Sequence, residues 1–177
     1  MSSEVWVRIS ELSSLTEIPV ATIKFYLREN LLHDGVRTAA TQAQYDQSHV
    51  ARLRLIRALI GPGGLSIAAA YQVIQAIEEP PGSVHELLGV AAGAVAGPNL
   101  DDALRALDEA GFTLPEGALD LYQDHMRQIA EFEIDNVPTE SPAAAVRYVV
   151  LGTVLLEPVI LALRRAAEEE ASARRFG

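Results

Sequence analysis

The chain has 177 residues, a formal net charge of −10 and no cysteine. Without thiols it has no disulfide and no thiolate metal site, which excludes cysteine-based metal or redox sensing. The length is enough to bury a core in one domain or two small ones, and the acid is unevenly spread: residues 1–60 carry seven Lys/Arg and six Asp/Glu, the remainder seven and eighteen.

The first predicted element is a short amphipathic helix from Arg8 to Leu15, with Ile9, Leu12 and Leu15 on one face. Thr16 and Glu17 form a tight polar break. Pro19 suits the first turn of a second helix, because its locked φ is helical and its missing N–H would be unpaired there. In that helix Ile23 and Leu27 face inward with Val20 beside them, which leaves Thr22, Lys24, Tyr26 and Arg28 on or near the outer face. Asp46 caps a third helix running to about Ile60, with Val50, Leu53, Ile56 and Leu59 or Ile60 inside. Arg52, near the start of that helix, is placed either to reach a phosphate or to be a solvated charge. Gly61-Pro62-Gly63-Gly64 ends the helix, and with no strand before it this is a turn rather than a phosphate cradle. Ser66 caps a fourth helix to about Glu79, with Ile67, Ala70, Tyr71 and Ile74 periodic. Pro80-Pro81-Gly82 then marks a domain boundary, giving units 1–79 and 83–177.

Everything beyond reads as helical. Ser83 and Glu86 form a capping box for a helix to about Ala96, ended by Gly97-Pro98. Asp101 to Ala110 is a short helix, with Leu100, Leu104 and Leu107 at helical spacing. Pro115 to Asp135 is longer, with a stripe of Leu119, Tyr122, Met126, Ile129 and Phe132. Ser141-Pro142 starts the last helix, which runs to about Arg174 with a tail from Glu168 expected to fray. This helix is apolar on nearly all sides between Val146 and Leu163, and such a helix is expected to be buried all round, centrally or against a second subunit. The apolar run Tyr148 to Leu163 contains Glu157-Pro158, where a kink is expected, and is short for a membrane span. The N-terminus has no signal-peptide pattern, so a cytoplasmic protein without a membrane partner is expected.

A short helix, a tight turn and a second helix with outward polar and basic side chains make a shape that enters a major groove. Ile9-Ser10-Glu11-Leu12, Ile23 through Leu32, Arg37-Thr38, Tyr45-Asp46 and Val50 through Ile56 also follow a known order and spacing. On these residues the run from Ile9 to about Ile77 resembles the DNA-binding domain of the MerR family of transcription regulators. The chain has Lys24-Phe25-Tyr26 where the family usually has Arg-Tyr-Tyr, and Thr41-Gln42-Ala43 where it usually has Gly-Tyr-Arg. The resemblance implies a recognition helix in the groove and a following wing against the backbone. The DNA-binding residues expected on this basis are Thr22, Lys24, Phe25, Tyr26, Arg28, Arg37, Thr38, Tyr45 and Arg52. It also implies double-stranded DNA as partner, action with RNA polymerase at a promoter, and a homodimer. Family members commonly dimerise through a long helix just after the fourth. Here the segment after residue 82 is too broken for that, so the Pro115–Asp135 helix or the last one is expected to join the subunits.

The fold class is therefore mainly α: a winged helix-turn-helix DNA-binding domain followed by a small all-helical domain. Tyr122, Phe132, Tyr148 and Glu157 are candidate walls of a pocket for a small apolar or cationic effector. The competing reading is a filled dimer interface, with Glu157 exposed or paired to an arginine such as Arg147 or Arg127. Glu131, Glu133 and Asp135 are two apart and share no helical face, which makes a solvated surface of them and of nearby His125. His33, His49, His85 and His125 show no metal-ligand spacing, so no metal or cofactor is expected. No Gly-x-Ser-x-Gly, His-Glu-x-x-His or phosphate-binding loop occurs, and the chain reads as a non-enzyme. The alternative function is a protein–protein adaptor that retains a DNA-binding-like domain, with the acidic helices as its working surface.

Overall fold

The computed structural model describes residues 6–39, 42–80, 82–95, 99–140 and 142–177. The wing residue Thr41, the breaks at Pro81 and Gly97-Pro98, Ala96 and the helix start at Ser141 lie outside them. In chain order the elements are α1 (Ile9–Thr16), α2 (Val20–Arg28), β1 (Val36–Ala39), β2 (Gln42–Gln44), α3 (Gln47–Ile60), α4 (Ile67–Glu78), α5 (Val84–Ala94), α6 (Leu100–Glu109), α7 (Ala118–Asp135) and α8 (Pro142–Phe176).

Local chemistry sets the first turns. The backbone N–H of Arg8 donates to Glu11 Oε2 at 2.8 Å and so starts α1. Glu17 ends it in the left-handed region at φ 56°, and the Ser13 hydroxyl donates to Ile18 O at 2.7 Å across the turn. The buried face of α1 is Leu12 and Thr16, four apart, rather than Leu12 and Leu15. Leu15 is exposed, while the Thr16 hydroxyl donates to Leu12 O at 2.8 Å and so enters the core satisfied. In α2 only Ile23 is fully buried, with Tyr26 and Leu27 packed against the core from its edge. Asp46 caps α3 by accepting from the Ser48 N–H at 2.9 Å. Ser66 caps α4 from the Ala69 N–H at 3.1 Å, and Ser83 caps α5 from the Glu86 N–H at 3.2 Å.

The core does not stop at Pro80. Leu53, Ile56 and Leu59 of α3, Val73 and Ile74 of α4, Leu87 and Ala91 of α5, and Val146, Val149, Val150 and Val154 of α8 are buried in one continuous cluster. Gly63 shows how closely the two parts meet: a Cβ there would lie 2.6 Å from Leu59 O and 2.9 Å from Val154 Cγ1. The expected units 1–79 and 83–177 thus share a core, with α4 covered by α5 and α8.

α8 is a single helix of 35 residues, about 52 Å long at about 1.5 Å per residue, and it continues through Pro158 and the expected fraying tail to Phe176. By length and composition it is apolar enough to cross a membrane, although the apolar run alone reads as short. One face of its first half is instead core, where Val146, Val149, Val150 and Val154 are buried. Beyond that point Val159, Leu161 and Leu163 are exposed, so the helix is not buried all round within one subunit. α7 likewise exposes Leu121, Tyr122, Met126, Phe132 and Ile134. Its C-terminal end approaches the core, where Ile134 and the following Val137 line a small cleft of about 30 Å³ with Leu88 and Val149.

Leu87→Ala is expected to cost the whole chain about 2–5 kcal/mol, because it removes a fully buried side chain from the shared cluster. In urea, helical circular dichroism and the fluorescence of the single tryptophan, Trp6, should lose their midpoints together. A Trp6 transition that stays in place would mean that the two parts unfold independently.

Candidate nucleic-acid interface

Three elements meet around one open cleft of about 470 Å³: the start of α1, the outer face of α2 and the two-stranded wing. Each supplies a cation, respectively Arg8, Lys24 and Arg37, and Ser10, Thr38, Gln42 and Gln44 line the space between them. The first N–H groups of α1 add the positive end of a helix dipole beside Arg8. Cations on three sides with neutral hydrogen-bonding groups between them suit a phosphate backbone lying across the cleft.

The wing is pinned at its root. Val7 and Tyr45 exchange two backbone hydrogen bonds, at 2.8 and 2.9 Å, which tie the end of the wing to the lead-in of α1. β1 and β2 pair antiparallel, Val36 with Gln44 and Arg37 with Ala43, and the register shifts before Ala39 pairs with Gln42. Gly35 opens the wing where no side chain fits, since a Cβ would lie 2.6 Å from Gln44 O and 2.8 Å from the Tyr45 ring.

The structure sorts the expected DNA-binding residues into three groups. Lys24 and Arg28 on α2, and Arg37 and Thr38 on β1, are exposed. Thr22, Phe25 and Tyr26 are half-buried, and the Phe25 and Tyr26 rings tilt against each other at 5.9 Å. Tyr26 O also accepts the N–H groups of Leu31 and Leu32, at 3.0 and 3.2 Å, which closes the end of α2. Tyr45 and Arg52 depart from expectation. Tyr45 is buried, its ring edge-on to His49 at 5.1 Å, and burial followed by the Asp34 charge pushes its hydroxyl above the usual tyrosine range. It closes the floor of the cleft. Arg52 is 14% exposed and pairs with Glu78 of α4, so its charge is already matched within the fold. Arg8, Ser10, Gln42 and Gln44 were not anticipated. The signal for Arg8 was its place as a cation at the start of α1.

The candidate effector residues do not come together. Tyr122 and Phe132 are exposed on α7, Tyr148 is half-buried on α8, and Glu157 is exposed there. No described cavity is lined by all four, and Glu157, in solvent, needs no buried partner. Arg127 pairs with Asp124 at 2.8 Å instead. Glu131 and Asp135 are exposed and Glu133 is partly so, in keeping with a solvated surface. The histidines bring a further departure. His33 and His49, distant in sequence, stack with ring centroids 3.9 Å apart beside Asp46.

This fold and cleft define a winged helix-turn-helix DNA-binding protein. Residues 7–77 match the model of the MerR HTH family of regulatory proteins. The whole fold is similar to the crystal structure of SCO5550 from Streptomyces coelicolor A3(2), described as a transcriptional regulator. The two are 28% identical over 97% of this chain and 98% of that one, with a TM-score of 0.59. A more distant similarity is to the transcription regulator PbrR691 from Ralstonia metallidurans CH34, solved with lead(II), at 18% identity over 80% of this chain and 97% of that one, TM-score 0.43. No curated protein matches the chain. The chain is a DNA-binding transcription regulator with a MerR-type reading domain.

Arg8→Ala, Lys24→Ala and Arg37→Ala are each expected to weaken binding to a selected DNA site and to reduce the salt dependence of affinity by about one released counterion. Arg52→Ala should leave that slope unchanged and lower the thermal midpoint, because it removes the ion pair with Glu78 that links α3 to α4. Fluorescence anisotropy at several salt concentrations separates the two outcomes.

Proposed function

We propose that the chain works as a homodimer that places two copies of α2 in successive major grooves of one operator, with the C-terminal helices joining the subunits. The observation that carries this reading is apolar surface without a partner inside one subunit. Phe132 of α7 is 69% exposed and Leu163 of α8 is 64% exposed, with Tyr122, Met126, Val159 and Leu161 alongside. Patches of this kind on a soluble chain mark an interaction surface. A groove of about 490 Å³ along α8, lined by Pro138, Arg147, Tyr148, Leu151, Leu155 and Leu156, adds further open apolar surface.

A second copy is the occupant that DNA binding calls for. One reading head brings few cations, and affinity grows with the number of phosphates neutralised. Two heads held together also gain from linkage, since the second binds at high effective concentration. The acidic surplus lies in residues 61–177, away from the cleft, where it keeps the joined helices off the DNA. Within this reading Lys24 and Arg28 face the groove and the backbone beside it, Arg37 and Thr38 hold the phosphates from the wing, and Thr22, Phe25 and Tyr26 set the pitch of α2. The protein acts in the cytoplasm at a promoter served by RNA polymerase. An effector has no enclosed cavity on the described subunit, so an effector response would run through the groove on α8 at the subunit junction.

Phe132→Asp and Leu163→Asp should each turn a dimer into a monomer in sedimentation while preserving helical content. The same variants should lose about a hundredfold in affinity for a two-half-site DNA. Selection from a random DNA pool should return inverted repeats. A wild-type protein that sediments as a monomer would sink the homodimer, and a pool that yields no enriched sequence would return the adaptor reading.

A further inference from the structure

Two imidazoles and a carboxylate from separate stretches of chain converge where the loop after α2 meets the start of α3. The donor atoms of His33, Asp46 and His49 all lie within 4.8 Å of one another. We propose that these three residues form a binding site for a divalent transition ion of the zinc, cobalt or nickel class.

The geometry centres on the Ser48 hydroxyl. It lies 2.9 Å from His33 Nε2 and 3.5 Å from His49 Nδ1, and it also bonds Asp46 Oδ1. A polar group therefore already sits at the point on which the three donors converge. Rotation of Ser48 about its Cα–Cβ bond would vacate that point. Zinc bonds nitrogen at about 2.0–2.1 Å, so an inward shift of the exposed His33 would bring the donors to ligand distance. His49 is only 2% exposed and is held from several sides: Tyr45 lies edge-on, and its Nε2 is 3.4 Å from Asp34 O. One ligand is thus fixed, and a second, Asp46, is fixed as the cap of α3.

Two groups of Asp46 compete for one ring nitrogen of His49. The Asp46 backbone N–H donates to His49 Nδ1 at 3.1 Å, which requires a lone pair on that nitrogen. Yet Asp46 Oδ1 lies 2.7 Å from the same nitrogen, and an ionised carboxylate only accepts. A proton on Nδ1 would satisfy the carboxylate and lose the cap bond. A metal ion on Nδ1 would displace the same cap bond, and in exchange it would accept lone pairs from both the imidazole and the carboxylate. Neutral imidazoles beside a carboxylate are the ligand set of zinc and its neighbours, and they suit neither the soft ions that need thiolates nor calcium. Helix capping accounts for Asp46 and Ser48, but leaves the stacked His33 unexplained. The site lies just before Gly35, so an ion there would brace the root of the wing against α3.

The test uses the untagged full-length protein, stripped with a chelator and titrated with Co²⁺. One Co²⁺ per chain should bind with visible d–d absorption, Zn²⁺ should displace it, and added Zn²⁺ should raise the thermal midpoint as a native-state ligand does. His33→Ala removes an exposed side chain and should fold normally by circular dichroism, yet lose at least about tenfold in Co²⁺ affinity together with the Zn²⁺-dependent midpoint shift. His85→Ala and His125→Ala should bind as wild type. Absence of stoichiometric binding overturns the proposal, as does unchanged affinity in His33→Ala or binding that depends on His85 or His125.

Discussion

The stripe Leu53, Ile56 and Leu59 along α3 is fully buried, and both parts of the molecule depend on it. α1 and α4 pack on α3 from the DNA-binding part, and α8 packs on it from the other part. Each such side chain contributes roughly 1.5–3 kcal/mol when it leaves water, a large share of a typical net stability. Because one helix serves both sides, the reading head cannot turn freely against the C-terminal helices. The close approach at Gly63 reinforces this, since the turn after α3 lies directly against Val154 of α8.

That coupling gives the division of α8 its meaning. One face of the first half, Val146, Val149, Val150 and Val154, completes the core under α3, α4 and α5, and the second half carries apolar side chains out into solvent. A rigid helix that is core at one end and open at the other transmits position. In the proposed homodimer, whatever meets the projecting half sets the distance between the two copies of α2. Short surface ion pairs such as Arg164 with Glu168, at 2.7 Å, support the outer turns but contribute little by themselves.

The wing depends on its root in a similar way. Its strands are short and mostly exposed, so their own pairing holds them only weakly. The root is held by the Val7–Tyr45 bonds, the missing side chain at Gly35 and the buried Tyr45–His49 contact. These fix where Arg37 stands relative to Lys24 and Arg8, and hence the width of the cleft. The histidine and carboxylate cluster adjoins the same root.

Local sequence determined what local physics controls. Pro19, Asp46, Ser66 and Ser83 act within a turn of themselves, so the starts of α2, α3, α4 and α5 are legible from the residue types alone. The inward set of α3 follows from a period of 3.6, and Lys24 and Arg28 face outward for the same reason. Tertiary structure decided whatever depends on a neighbour from elsewhere in the chain. Arg52 looks like a DNA contact until Glu78, on another helix, takes its charge. Leu15 looks like core until the turn at Glu17 sends Thr16 inward in its place. Arg8 joins the cleft only because the wing folds back beside it, and His33 meets His49 only because the loop after α2 returns to the start of α3. The apolar run of α8 could be read in sequence, but which half is buried could not. That depends on where α4 and α5 end, and hydrophobicity along one helix carries no information about the length of its neighbours.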